Sequence, residues 1–286
     1  MIKRQAKAKV NLTLDILGKR DDGYHEVEMV MQSIALADIV TIEDADTITV
    51  ETDLAELADD RTNLAYRAAE LLRDTYQIDR GATIRIVKKI PRAAGLAGGS
   101  SDAAAVLLGL NELWKLNRPM DELLALGAKL GSDVPFCMIG GTMVAGGRGE
   151  ILTEAPALAT YPLILVKPPI GVSTAAAYGG YRADKVAVHP RADAMLDAIF
   201  AGDKDRIFQA MGNVLETVTI PLHPEIDAIK QALLDEGAEK AMMSGSGPTV
   251  FAFVATADEA ERIANQMRKR FNTYTICTTA TCQGEN

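Results

Sequence analysis

Between Ile90 and Leu107 the chain reads IPRAAGLAGGSSDAAAVL: a strand-like run stops at a proline, three glycines follow, and two serines open an alanine-rich helix. This composition demands a tight strand-to-helix loop whose outer surface is backbone. A helix N-terminus offers four unpaired N–H groups and the positive end of the helix dipole. Gly95, Ala97, Gly98 and Gly99 leave those amides open to the close approach of an anion, phosphate above all. Ser100 and Ser101 add hydroxyls that can bind phosphate or a metal attached to it. The bland alternative, a flexible connection with an ordinary serine cap, serves glycine clusters in general equally well. No Gly-Lys-Ser/Thr closes the loop and Gly-x-Gly-x-x-Gly is missing, so neither of the familiar nucleotide fingerprints applies.

The pattern around the loop fixes the fold class. Apolar residues occupy alternate positions from Ala6 to Ile16, which predicts a half-buried strand with Lys7, Lys9, Asn11, Thr13 and Asp15 on its other face. Further strands are expected near Val27–Ile34, Ile39–Glu43 and Thr47–Glu51. A helix then carries Leu64, Ala68, Leu71 and Leu72 on one face, with Thr62 or Asn63 as its cap. A strand leads into the glycine loop, and Met120–Leu130 forms a helix closed by Gly131. From Tyr161 onward the order is strand, helices, strand, strand, helix, strand; setting the extra helices aside, this is the ferredoxin-like β-α-β-β-α-β sequence. The first unit has more strands than helices, without alternation, so the class is α+β. The expected units are 1–155 and 156–286.

Composition narrows the function. A net charge of −9 argues against non-specific binding to nucleic acid or anionic membranes, so an anionic substrate would need local donors. Cys137, Cys277 and Cys282 are odd in number and lack metal-ligand spacing, as expected in a reducing cytoplasm. Neither a membrane-spanning apolar stretch nor the apolar core of a signal peptide is evident.

Two more stretches join the loop: AKVNL in the first strand and SGSGPT between two strands of the second unit. SGSGPT by itself reads as a tight hairpin turn. Taken in order, AKVNL, PRAAGLAGGSSDAA and SGSGPT resemble the three motifs of the galactokinase–homoserine kinase–mevalonate kinase–phosphomevalonate kinase superfamily. DGYH after the first motif and GSDVPF after the second resemble the branch that phosphorylates a cytidine-diphosphate-linked methylerythritol on the route to isoprenoid precursors. The likeness covers nearly the whole chain. It implies a two-domain α+β fold and transfer of a phosphoryl group from ATP to a substrate hydroxyl. One departure is that Ala93, Ala94 and Ala97 stand where glycine is common.

The resemblance also assigns roles. Lys9 and Asp133 match the catalytic pair; on local sequence alone, Asp133 reads as a helix cap before Pro135, and Lys9 as a solvated strand lysine. The ATP loop would comprise Pro91, Arg92, Ala93, Ala94, Gly95, Leu96, Ala97, Gly98, Gly99, Ser100 and Ser101. Asn11 would bind polar groups of the substrate. Tyr24 and His25 would frame the cytosine, with Tyr178 as a second ring and Thr174 as a polar contact. No carboxylate cluster of metal-binding type is evident, so Mg²⁺ would arrive with ATP and be held mainly by its phosphates, with Ser100 or Ser101 as further ligands. The competing readings are another alcohol kinase of the superfamily, which would need no aromatic frame, and a non-catalytic module that binds RNA or a protein partner, against which the acidic charge and the presence of both Lys9 and Asp133 count.

Overall fold

The computed structural model describes residues 1–53 and 61–284, and two sheets organise it. The first takes β1 (Ile2–Lys19), β2 (His25–Ala45), β3 (Thr49–Thr52), β4 (Gly81–Val87), β5 (Thr142–Gly146) and β6 (Ile151–Glu154). Strand β7 (Pro162–Lys167) opens the second sheet and β8 (Gly212–Asn213) returns to the first. Strands β9 (Lys240–Met243), β10 (Val250–Phe253) and β11 (Thr275–Ala280) complete the second. The helices are α1 (Leu64–Tyr76), α2 (Gly98–Leu113), α3 (Met120–Leu130), α4 (Val134–Ile139), α5 (Thr174–Gly180), α6 (Ala192–Ala201), α7 (Lys204–Ala210), α8 (Glu216–Leu222), α9 (Glu225–Asp235) and α10 (Ala257–Arg270).

The first sheet runs β3-β4-β2-β1-β8, with β5 and β6 extending from the other end of β2. The two strands expected between Val27 and Glu43 are one long strand, β2, whose pairing with β1 shifts register between Lys7 and Lys9 and again between Asn11 and Thr13. The second shift is a one-residue bulge on β1, because Asn11 faces Met31 while Thr13 faces Val30. The Thr13 hydroxyl accepts the Val30 amide at 2.9 Å and satisfies the ladder there.

Strand β1 departs from expectation in its burial. The alternation predicts one solvated face, yet Lys9, Asn11, Thr13 and Asp15 are buried along with the apolar residues. Both faces are covered. Leu14 and Ile16 join the cluster built on the α2 residues Ala103, Val106 and Leu107. Ala8, Val10 and Leu12 join Leu165, Phe251 and Phe253 of the second sheet and Met195 and Ile199 of α6.

The second sheet is antiparallel in the order β11-β7-β10-β9, the arrangement expected of a ferredoxin-like unit. Ile164, Val166, Val250 and Ala252 alternate toward Ile229 and Leu233 of α9 and Ile263 and Met267 of α10. Their neighbours Leu163, Leu165, Phe251 and Phe253 point the other way, toward β1. This period of two is what a sheet buried on both faces requires.

Local signals act as the residues dictate. Asn63 caps α1, its side-chain oxygen accepting the Ala65 amide at 2.9 Å. Gly131 ends α3, but with an extended backbone that other residues adopt too. The two sheets meet where backbone approaches backbone at the glycine loop. The Lys9 amide donates to the Leu96 carbonyl at 3.2 Å, and the Ser244 hydroxyl donates to the Gly95 carbonyl at 2.9 Å. Gly95 has φ +73°, and a Cβ there would lie 2.2 Å from the Ser244 carbonyl oxygen.

Gly95→Ala should therefore lower stability by about 2–3 kcal/mol, combining left-handed strain with an overlap that only backbone movement can relieve. Gly99→Ala is the matched control, since its Cβ would meet Leu64 at an ordinary 3.5 Å. Thermal or urea unfolding of both variants checks the contrast; equal stabilities would refute it.

Candidate active site

A cleft of about 1020 Å³ runs between the glycine loop, the face of β1 that carries Lys9, and the start of α5. Of the residues singled out from the sequence, all but Asn11 and Ser101 line it. Three groups of side chains divide its length.

At one end lies the loop. Helix α2 begins at Gly98 with Ala97 as its N-cap, and no side chain caps the helix. The first-turn amides of a helix have no intrahelical partner, so here they are served neither by a cap nor by their own helix. Ala93 and Ala97 take φ of 46° and 59°, the left-handed region that glycine enters more easily. Ala94 does not. Ser100 faces the cleft, whereas Ser101 is buried and its hydroxyl donates to the Lys7 carbonyl at 2.6 Å. Ser101 thus ties α2 to β1 and offers nothing to the cleft.

In the middle stand Lys9 and Asp133. The Lys9 ammonium donates to the Asn11 side-chain oxygen at 2.9 Å and lies 3.6 Å from the Asp133 carboxylate. Asp133 occupies the N-cap position of α4 with Pro135 in the first turn, as the local sequence dictates, yet its side chain makes no cap hydrogen bond. The carboxylate faces the lysine instead. Asn11 is fully buried, with its amide directed to the Met29 sulfur at 3.2 Å. It reaches the cleft through Lys9, which it orients. Behind the pair, burial pushes the Cys137 thiol up to about 12, with Asp133 adding to the shift. The thiol is inert at that value.

At the far end lie the rings. His25 and Tyr178 are 5.6 Å apart between centroids and tilted by 36°. Tyr24 is 55% exposed, and the Arg148 guanidinium sits 4.9 Å from its ring centroid. Burial lowers the His25 pKa, and the Lys19 charge lowers it further, so the ring is neutral near pH 7. Burial raises the Tyr178 phenol, helped by Asp133. The Thr174 hydroxyl is 3.2 Å from that of Ser246, joining α5 to the β9–β10 turn. That turn does join a hairpin, as SGSGPT predicts, but it runs from Ser244 to Thr249 and is wider than a tight turn; Gly245 and Ser246 also line the cleft.

Sequence reasoning missed a buried ion cluster under the loop. Lys88 pairs with Asp102 at 2.6 Å and with Asp38. Burial pushes the Asp102 carboxyl up to about 7, against the pull of Lys88 and with a further push from Asp38. Arg148 was missed as well, since nothing in GGRGE distinguishes it from a surface arginine. The SSDAA and VKKIP segments held no signal of the cluster, since each contributes an ordinary charged residue beside other polar ones.

The geometry agrees with what known proteins share with this chain. Residues 63–141 match the model of the GHMP kinases N terminal domain, and residues 195–273 that of the GHMP kinases C terminal region. The 4-diphosphocytidyl-2-C-methyl-D-erythritol kinase of Bacillus pumilus is 52% identical over 272 residues, covering 93% of each chain. That of Brevibacillus brevis is 50% identical over 266 residues, covering 92% of this chain and 91% of the relative. A crystal structure of 4-(cytidine 5'-diphospho)-2C-methyl-D-erythritol kinase superposes with a TM-score of 0.84 at 33% identity, covering 99% of this chain and 100% of that one. The α+β reading and the resemblance in the three motifs therefore hold: the chain belongs to the GHMP kinases, within their 4-diphosphocytidyl-2-C-methyl-D-erythritol kinase family.

Proposed function

We propose that this chain transfers the γ-phosphoryl group of ATP to a hydroxyl of 4-diphosphocytidyl-2-C-methyl-D-erythritol. The observation that carries the reading is the continuity of the cleft: an uncapped helix N-terminus, a lysine–carboxylate pair and a set of aromatic rings follow one another along it. A polyanion at the first, a hydroxyl at the second and a flat base at the third would fit one elongated substrate beside one nucleotide.

The loop from Pro91 to Ser100 would hold the nucleotide phosphates through the open amides of α2. The Asp133 carboxylate would accept the proton of the substrate hydroxyl as its oxygen bonds to the γ-phosphorus and the bond to the bridging oxygen breaks, releasing ADP. Lys9 would pair with the Asp133 carboxylate and steady the charge on the transferring group. Asn11 would hold Lys9 in line. Tyr24, His25 and Tyr178 would enclose the cytosine, with neutral His25 able both to donate and to accept, and Thr174 would supply a polar contact beside them. No group of three His, Cys, Asp or Glu side chains gathers among the described residues. Magnesium would therefore be held chiefly by the phosphates, with the Ser100 hydroxyl as this chain's donor, and would draw charge from the phosphoryl oxygens.

We divide the labour between units 1–155 and 156–286, the first supplying loop and catalytic pair, the second Thr174 and Tyr178. Cys137, Cys277 and Cys282 form no disulfide with one another, which accords with a cytoplasmic enzyme. The reading is tested by ATP turnover against cytidine-diphosphate-linked methylerythritol, homoserine and mevalonate. Turnover of homoserine or mevalonate in preference to the cytidine compound would overturn it.

Asp133→Asn removes the proton acceptor but keeps its shape, and should lower kcat by about 10²–10⁴-fold with little change in either KM. Lys9→Ala should lower kcat too, and the double variant should lose less than the product of the single losses. A steady-state kinetic cycle on variants checked for folding decides this; multiplicative losses would separate the two residues.

Tyr178→Ala and Tyr24→Ala should each raise the KM for the cytidine substrate and spare that for ATP, because a stacked ring contributes about 1–3 kcal/mol per base. Since burial and Lys19 hold the His25 pKa below its ordinary 6.5, the neutral ring persists to lower pH than usual. The KM for the cytidine substrate should then be flat from about pH 8 to 6.5 and rise only below that range. A KM profile against pH, with His25→Phe as the control that flattens it, measures this.

A further inference from the structure

Asn213, the second residue of β8, is buried and takes no part in the chemistry proposed above. Its side-chain amide is nonetheless fully engaged. The nitrogen donates to the Met243 carbonyl at 2.9 Å and to the Gly245 carbonyl at 2.8 Å, and the oxygen accepts the Leu215 amide at 3.0 Å. An ionised aspartate would lack both donors, and glutamine would be one methylene too long. The backbone fixes Asn213 in its turn: the residue faces Leu14 in the parallel β1–β8 pair, and the Val214 amide donates to the Leu14 carbonyl at 3.0 Å. One side chain thus fastens the turn between β9 and β10 to the strand that carries Lys9 and Asn11.

The far side of that turn touches the centre of the cleft. Gly245 has φ +56°, and a Cβ there would lie 3.2 Å from the Gly95 carbonyl oxygen and 3.6 Å from the Asn11 side-chain oxygen. That Asn11 oxygen is the one that accepts the Lys9 ammonium. The Ser244 hydroxyl holds the Gly95 carbonyl, and from behind the Thr219 hydroxyl of α8 donates to the Ser246 carbonyl at 3.3 Å. The turn is a wedge, with Gly245 and Ser246 in the cleft wall and Asn213 at its back. From Asn213 the contacts run through Gly245 and Asn11 to Lys9 without a gap.

We propose that Asn213 is a positioning residue for phosphoryl transfer. It holds the Gly245 turn against Asn11, so that Asn11 keeps Lys9 in line with Asp133. Asn213 itself stands outside the cleft and touches no reacting atom. The inference rests on the reading of Lys9 and Asp133 as the catalytic pair.

The test is steady-state kinetics with ATP and the cytidine-diphosphate-linked substrate on wild type, Asn213→Ala, Asn11→Ala and the double variant. Urea unfolding gives the folded fraction, and kcat is expressed per folded molecule. Asn213→Ala should lower kcat by about ten- to hundredfold, the scale of a small misplacement at a reacting centre, while each KM stays within about threefold. In the Asn11→Ala background the same change should cost about twofold or less, because the route to Lys9 is already cut. Met267→Ala is the stability control. Met267 is buried on α10, which packs on β7 and β11, the half of the second sheet away from the turn. Its loss should lower stability and leave kcat per folded molecule unchanged. An Asn213 with only a structural role would behave as Met267 does, or would cost the same factor in both backgrounds; either result would overturn the inference. Should Asn213→Ala fail to fold, Gly245→Ala displaces the same turn from the cleft side and should show the same dependence on Asn11. Full activity in Asp133→Asn would overturn the reading of the catalytic pair and this inference with it. An impaired Asp133→Asn beside an Asn213→Ala of undiminished kcat would overturn this inference alone.

Discussion

An ammonium group at the end of a side chain only 6% exposed has to be answered inside the protein, and the answer to Lys9 organises the centre of this molecule. The Asn11 oxygen at 2.9 Å and the Asp133 carboxylate at 3.6 Å provide it. Asp133 can face inward because α4 begins where α3 stops, and its side chain is not spent on capping that helix. Lys9 can be buried because β1 is covered on both faces, by α2 on one side and the second sheet on the other. The register shifts in the β1–β2 pairing on either side of Lys9 and Asn11 let two polar residues sit in the wall of a cleft while their neighbours stay in the core.

The glycine loop shares this dependence. Its Leu96 carbonyl is held by the Lys9 amide and its Gly95 carbonyl by Ser244, so the loop is fixed from both sheets at adjacent residues. Such fixing from outside explains how Ala93 and Ala97 keep left-handed backbone angles that their side chains disfavour. It also leaves the first amides of α2 pointing at open space.

The fold was largely legible because its two sheets obey period-two patterning, and the β-α-β-β-α-β order of the second unit could be read from its strands. The errors have physical causes. Ala35, Leu36, Ala37 and Asp38 interrupt the strand-forming run of β2, so one strand read as two; the loose β1–β2 pairing there accommodates them. The solvated face expected of β1 was wrong because periodicity registers what is apolar, and polar residues buried as partners of one another leave no trace in it. Lys9 and Asn11 share a face by alternation, but their meeting with Asp133 depends on residues more than a hundred positions apart. Tyr178 was singled out by resemblance alone, since a tyrosine beside an alanine run carries no chemistry of its own. Asp38, Lys88 and Asp102 went unnoticed because each is an ordinary charged residue until the fold brings them together.

Strand β8 is only two residues long, yet Gly212 and Asn213 complete the edge of the first sheet by pairing with Thr13 and Leu14. Near the other end of the chain Thr281 bridges to Ile34, and the Gln32 amide donates to the Cys282 carbonyl at 2.8 Å. Segments far apart in sequence thus close on the two central strands of the sheet that carries Lys9. A chain that has emerged only through β6 already holds Lys9, Asn11 and Asp133, but leaves the edge of β1 away from β2 unpaired. The order of synthesis thus leaves one edge of the strand that carries Lys9 open until β8 has been made, and Thr281 and Cys282 close on β2 later still.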